Sequence, residues 1–130
     1  MCKLAKLKTN FNTEISVAEN KLSVLNNLIS IAALCPKIDA IMLFGSALED
    51  RCTAQSDVDL VIISRDTITA LSKYKTYLDF QKALYLHDMS QEYDFLYFRS
   101  LDEIEARKSE NAICRELSDK GKVIYRRPAA

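Results

Sequence analysis

Apolar residues recur at helical spacing over Ala18, Leu22, Leu25, Leu28 and Ala32, and the repeat predicts an amphipathic helix. Ser16-Val-Ala-Glu19 at its start has the form of a capping box, in which a serine and a glutamate three residues on satisfy orphan backbone donors. The helix should stop before Cys35-Pro36, because proline disfavours helical geometry in the residue before it. Ile38–Phe44 is short and nearly all apolar, as in a strand buried on both faces. Val58–Ile63 is rich in β-branched residues and reads as a second strand. From about Asp66 to Leu86 the helical period returns, with Ile68, Leu71, Tyr74, Leu78 and Tyr85 on one side. Glu92–Phe98 predicts a third, aromatic strand. Ser100-Leu-Asp-Glu103 is a second capping box, opening a helical region that reaches Lys120 with a break near Ser109. Gly121 is placed as its C-cap, and Lys122–Tyr125 forms a short last strand. The alternation predicts one α/β (α+β) unit, a small mixed sheet flanked by helices, over 1–130 as a single domain. Lys3, Lys6 and Lys8 suggest that about 1–12 is a flexible basic tail.

Composition narrows the class. Lys+Arg and Asp+Glu balance at 18 each, so no net field draws the chain to nucleic acid or a membrane surface. No apolar run has the length of a membrane span, and Met1–Asn12 lacks the apolar centre of a secretion signal. Cys2, Cys35, Cys52 and Cys114 are scattered without a C-x-x-C pair, and His87 is the single histidine. That argues against zinc and for free thiols in a reducing cytoplasm, the expected location.

The chemistry gathers in "LFGSALEDRCTAQSDVDLVII", Leu43–Ile63. Residues i and i+2 of a strand point to one side, so Asp57 and Asp59 project together while Val58 and Leu60 face packing. Paired carboxylates repel and resist burial. A hard divalent cation such as Mg²⁺ stabilises such a pair, and Mg²⁺ is commonly held by one or two carboxylates plus substrate phosphates. Gly45-Ser46, where a buried strand ends, supplies the phosphate side: glycine lets backbone approach an anion closely, and Ser46 adds a hydroxyl. With only Gly45 and Gly121 in the chain, neither G-x-G-x-x-G nor G-x-x-x-x-G-K-[ST] can be written. A two-metal transfer site wants a third acid from another element. Asp94 in "EYDFLYF" is the candidate, with Glu92, on the same face, in reserve.

These residues resemble the nucleotidyltransferase superfamily of DNA polymerase beta type, and most of all its minimal nucleotidyltransferases. Their signature is G-S-x₁₀-D-x-D, and "GSALEDRCTAQSDVD" matches it with the full ten-residue gap. The closing "GKVIY" is similar to the family's tail. The resemblance implies a polymerase beta palm-like fold and transfer of a nucleoside monophosphate, AMP from ATP or another nucleoside triphosphate, to a hydroxyl. It implies that Asp57 and Asp59 hold two Mg²⁺ ions, that Asp94 completes the catalytic metal and helps deprotonate the acceptor, and that Gly45 and Ser46 hold the β- and γ-phosphates. Small members commonly pair with a helical HEPN-type protein and act as its antitoxin, so a partner protein is the expected acceptor. Members that modify antibiotics usually add a helical domain, for which this chain leaves no room. Family members often carry a basic residue and a glycine soon after GS, where this chain has Glu49 and Asp50; Arg51 is the candidate for the missing charge. The competing expectations are a non-catalytic nucleotide-binding or toxin-masking module and an enzyme acting on a small molecule. A homo-oligomer is compatible with either.

Overall fold

The computed structural model describes residues 2–128. The chain opens with a hairpin, β1 (Leu4–Lys8) and β2 (Glu14–Ala18), then a 3-10 turn and α1 (Leu22–Ala32). Then come β3 (Ala40–Phe44), a 3-10 turn over Gly45–Leu48, and β4 (Val58–Ile63). Two helices follow, α2 (Ile68–Leu71) and α3 (Lys75–His87), and lead to β5 (Tyr93–Phe98). α4 (Leu101–Arg107), α5 (Ala112–Lys120) and β6 (Lys122–Arg126) complete it. The main sheet has the order β5-β4-β3-β6. It is mixed: β3 runs antiparallel to β4 and β6, while β4 and β5 are parallel. A parallel pair needs a crossover, and α2 and α3 provide it.

Each sheet face has its own core. α1, α3 and the hairpin cover Ile41, Leu43, Leu60, Ile62 and Ile124. Ile104 of α4 with Cys114 and Leu117 of α5 covers Ala40, Met42, Val61 and Ile63. The alternation along β4 thus splits between two apolar layers, which is why the strand reads as an unbroken apolar run. Gly121 ends α5, its N–H bonded to the Leu117 carbonyl at 2.9 Å. Its φ of −65° is open to any residue; glycine is favoured because a Cβ there would meet the Leu117 carbonyl oxygen at 2.6 Å as well as the Met42 sulfur at 2.5 Å. No helix among the described residues is long and apolar enough to cross a membrane.

Several expectations need correction. The basic stretch near the amino terminus is no tail: Leu4–Lys8 pairs in full with Glu14–Ala18. Leu7 and Val17 are completely buried, so alternation outweighs the interspersed lysines. Ser16 therefore sits in a strand, where its hydroxyl accepts from Lys6 Nζ at 2.9 Å, and it caps no helix. Half of the second capping box forms: Ser100 Oγ accepts the Glu103 N–H at 3.1 Å, while Glu103 Oε1 accepts the N–H of Arg99, one residue before the cap, at 2.9 Å. The break near Ser109 falls between Arg107 and Ala112, and Asn111 caps α5 through the Cys114 N–H at 3.1 Å. The helix face of the 66–86 region is rotated from the expected one. α3 buries Tyr77, Phe80 and Leu84, and leaves Leu78 and Tyr85 49% and 40% exposed. A break between α2 and α3 resets the phase of the pattern. At the end of β6, Arg126 lies over the Phe11 ring at 5.2 Å, and Arg127 donates to the Pro36 carbonyl and pairs with Asp39.

Candidate active site

One end of the main sheet collects the polar residues singled out above. β4 and β5 run parallel and start there, and antiparallel β3 ends there. The register sets Asp59 opposite Asp94 on one side and opposite Phe44 on the other. Directly paired residues of neighbouring strands project to the same face, so the Asp59 and Asp94 carboxyl groups face each other across the β4–β5 pair. Asp57 precedes β4 by one residue. Asp57 and Asp94 are exposed and Asp59 is half-buried.

The Asp59 carboxyl is shifted first by its burial and then by this crowding. Burial pushes it up from 3.8 to about 6, and the neighbouring carboxyls of Asp94 and then Asp57 push the same way. Asp59 thus registers both of the other acids. Glu92, the reserve, is exposed and does not act on Asp59; its carbonyl oxygen accepts the Val58 N–H at 3.0 Å.

Gly45 explains the serine-glycine half. Its φ of +76° lies in the left-handed region. A Cβ at this position would collide with the Asp59 carboxylate. The backbone of the Gly45–Leu48 turn therefore lies directly against that carboxylate. Only glycine satisfies both demands. Ser46 follows on the turn, half-buried.

Beside the turn opens a cleft of about 980 Å³, between the β1–β2 hairpin, Phe44–Arg51 and the α5–β6 junction. Lys6, Arg51, Lys120 and Lys122 line it along with Glu14, Glu49 and Glu116. Two of the cations are ion-paired, Arg51 with Glu49 and Lys120 with Glu116 at 3.3 Å, and Lys6 donates to Ser16 Oγ. Arg51, the candidate replacement charge after Ser46, is thus held by the very glutamate that departs from the family pattern. That contact raises the Arg51 guanidinium and lowers the Glu49 carboxyl.

The donor set at Asp57, Asp59 and Asp94 is all oxygen, which suits Mg²⁺ and excludes a soft-ligand site. Charge repulsion at Asp59 is what a cation would relieve. Among the described residues no group of three or more His, Cys, Asp or Glu stands ready in metal-binding geometry. The four cysteines are free thiols, three of them buried. His87 bonds Ser23 Oγ at 3.1 Å at the end of α3 and takes no part. Tyr93 and Tyr97 are aromatic core rather than a base-stacking platform: Tyr93 packs edge-on to Tyr85, and Tyr97 shares a 2.6 Å hydroxyl contact with Tyr77. Sequence patterns missed Lys21 and Gln91, which lie buried behind the loop leading to Asp57. No spacing rule marks a lysine in a 3-10 turn.

The family model described as "Polymerase beta, Nucleotidyltransferase" matches residues 26–129. The β1–β2 hairpin lies outside the match. No curated protein matches the chain at a significant level.

Proposed function

The chain belongs to the polymerase beta nucleotidyltransferase family, and on that premise we propose that it moves AMP from ATP onto a hydroxyl of a partner protein. The observation that carries this reading is the contact of the Gly45 backbone with the Asp59 carboxylate, with Asp94 in register beside it. Phosphate-binding backbone and metal-binding acid are thereby adjacent.

Asp57, Asp59 and Asp94 would hold Mg²⁺, two ions in the complete site, which when bound offset charge on the attacking and leaving oxygens. The Gly45 backbone and the Ser46 hydroxyl grip the β- and γ-phosphates and so fix the direction of the α-phosphorus. Asp94 receives the proton of the acceptor hydroxyl as its oxygen bonds to the α-phosphorus. The bond from the α-phosphorus to the bridging oxygen breaks, and pyrophosphate leaves with that oxygen.

The acceptor argument rests on exposure. Asp57 and Asp94 stand at an open sheet end, and small molecules normally need a pocket that buries most of their surface. A protein brings its own shape and can present a tyrosine, serine or threonine hydroxyl there. A helical HEPN-type toxin is the partner class we favour, which would make the chain an antitoxin. The test is to isolate the chain with its natural partner, add Mg²⁺ and labelled ATP, and look for added AMP by mass spectrometry. Labelling of an aminoglycoside with no partner present would overturn the acceptor.

One observation favours a second reading, a masking module without catalysis: the Glu49–Arg51 pair occupies the charge that would otherwise meet the triphosphate. Calorimetry with Mg²⁺ and ATP separates the two, since a masking module binds neither.

A further inference from the structure

Lys21 is 1% exposed, and its Nζ donates to the Ala54 carbonyl at 3.1 Å and to Gln91 Oε1 at 2.7 Å. Both partners are neutral oxygens. Burying an amino group is costly without full compensation, and an apolar side chain of that length would fill the space more cheaply. Gln91, itself 5% exposed, continues the chain of bonds: its Nε2 donates to the Ser56 carbonyl at 3.1 Å and to the Glu92 carbonyl at 2.7 Å. Glu92 O also accepts the Val58 N–H. Next to Lys21, Asn20 Nδ2 donates to the Cys52 carbonyl at 3.1 Å.

Every one of these acceptors lies on one of two segments. Cys52, Ala54 and Ser56 belong to the loop that delivers Asp57; Glu92 precedes Asp94 by two residues. Loop 49–57 has no regular secondary structure apart from turns to hold it. From this geometry we infer that Lys21 is a positioning residue: through Gln91 it staples the loop carrying Asp57 to the start of β5 carrying Asp94, and so sets the spacing of the carboxylates that close on a divalent cation. The inference rests on the nucleotidyltransferase reading of those acids. Lys21 touches neither substrate nor metal. It acts through backbone carbonyls.

Lys21→Met keeps the aliphatic stem and removes the donors. In metal-free buffer, amide hydrogen exchange at Val58 should rise at least tenfold over wild type, while Gly121, bonded on α5, keeps its protection. Mn²⁺ affinity by calorimetry should fall at least tenfold, and Lys21→Arg should recover part of it. Added to Asp57→Asn, Lys21→Met should cost no further affinity, because the spacing Lys21 sets, Asp57 to Asp94, no longer matters once the Asp57 carboxylate is gone. A purely structural lysine would give additive losses. Unchanged exchange at Val58, unchanged Mn²⁺ affinity in the variant, or additive losses in the double variant each overturn the inference. If Gly121 loses protection as well, Gln91→Leu removes the other half of the staple and is held to the same outcomes. A wild-type chain that binds no Mn²⁺ refutes the functional reading and this inference with it; binding by wild type and variant alike refutes the inference alone.

Discussion

Without divalent cations, raising the pH from 4 to 7 should destabilise this fold through Asp59. Its carboxyl is pushed from 3.8 to about 6 by burial and by Asp94 and Asp57. Between those values the folded state keeps a proton that the unfolded chain has released. The stability from that proton is fully present below about pH 4 and is lost as the pH rises through about 6. Each tenfold step in proton affinity is worth about 1.4 kcal/mol, so the loss is about 3 kcal/mol at most. Solvent reaching the half-buried carboxyl cuts this to about 1–2 kcal/mol. Asp59→Asn removes the titration. Urea denaturation in EDTA at pH 4, 5, 6 and 7 should show the variant gaining on wild type by that amount, with the gain complete near pH 7. Millimolar Mg²⁺ at pH 7 should then restore wild type and leave the variant unmoved. Parallel stability curves for the two proteins across this range would refute the crowded-carboxylate account.

Gly45→Ala forces a side chain into the left-handed region, at about 1–2 kcal/mol, and displaces the Asp59 carboxylate; urea denaturation should show the loss, and calorimetry weaker Mn²⁺ binding. Ser46→Ala should weaken ATP binding by about 1.5–3 kcal/mol, the worth of one charge-assisted hydrogen bond, whereas Asp94→Asn should lower turnover while ATP still binds. Equal loss of binding in both would refute that division of roles. Ser100→Ala removes the α4 cap and should cost about 1 kcal/mol by thermal or urea denaturation, with cation affinity unchanged.

The local signals that were legible in the sequence share a property: each is carried by residues close in the chain. The β4 strand, the Ser100 cap and the end of α5 at Gly121 are of this kind. The G-S-x₁₀-D-x-D spacing is longer, but its fixed residue types make it readable. What escaped depends on distant pairing. Ser16-Val-Ala-Glu19 satisfies a capping rule locally, yet Ile15 and Val17 gain more by pairing with β1, and no local rule weighs that. The phase of α3 escapes the pattern because Ile68 and Leu71 of α2 fit one period with Leu78 and Tyr85 of α3 across a break that the period does not reveal. Lys21 and Gln91 lie 70 positions apart. They meet only because α1 and β5 are brought to the same sheet end. Gly45 stands out in the sequence as one of two glycines, but the contact with Asp59 that demands it depends on the β3–β4 register.

The central claim is nucleotidyl transfer at Asp57, Asp59 and Asp94, and the position of the transferred phosphorus tests it most directly. The chain and its natural partner are incubated with Mg²⁺ and ATP labelled at either the α- or the γ-phosphate. The account predicts that the α-label becomes covalently attached to protein, that the γ-label leaves as pyrophosphate, and that Asp59→Asn abolishes both. Attachment of the γ-label, or α-label transfer that persists in Asp59→Asn, would contradict it.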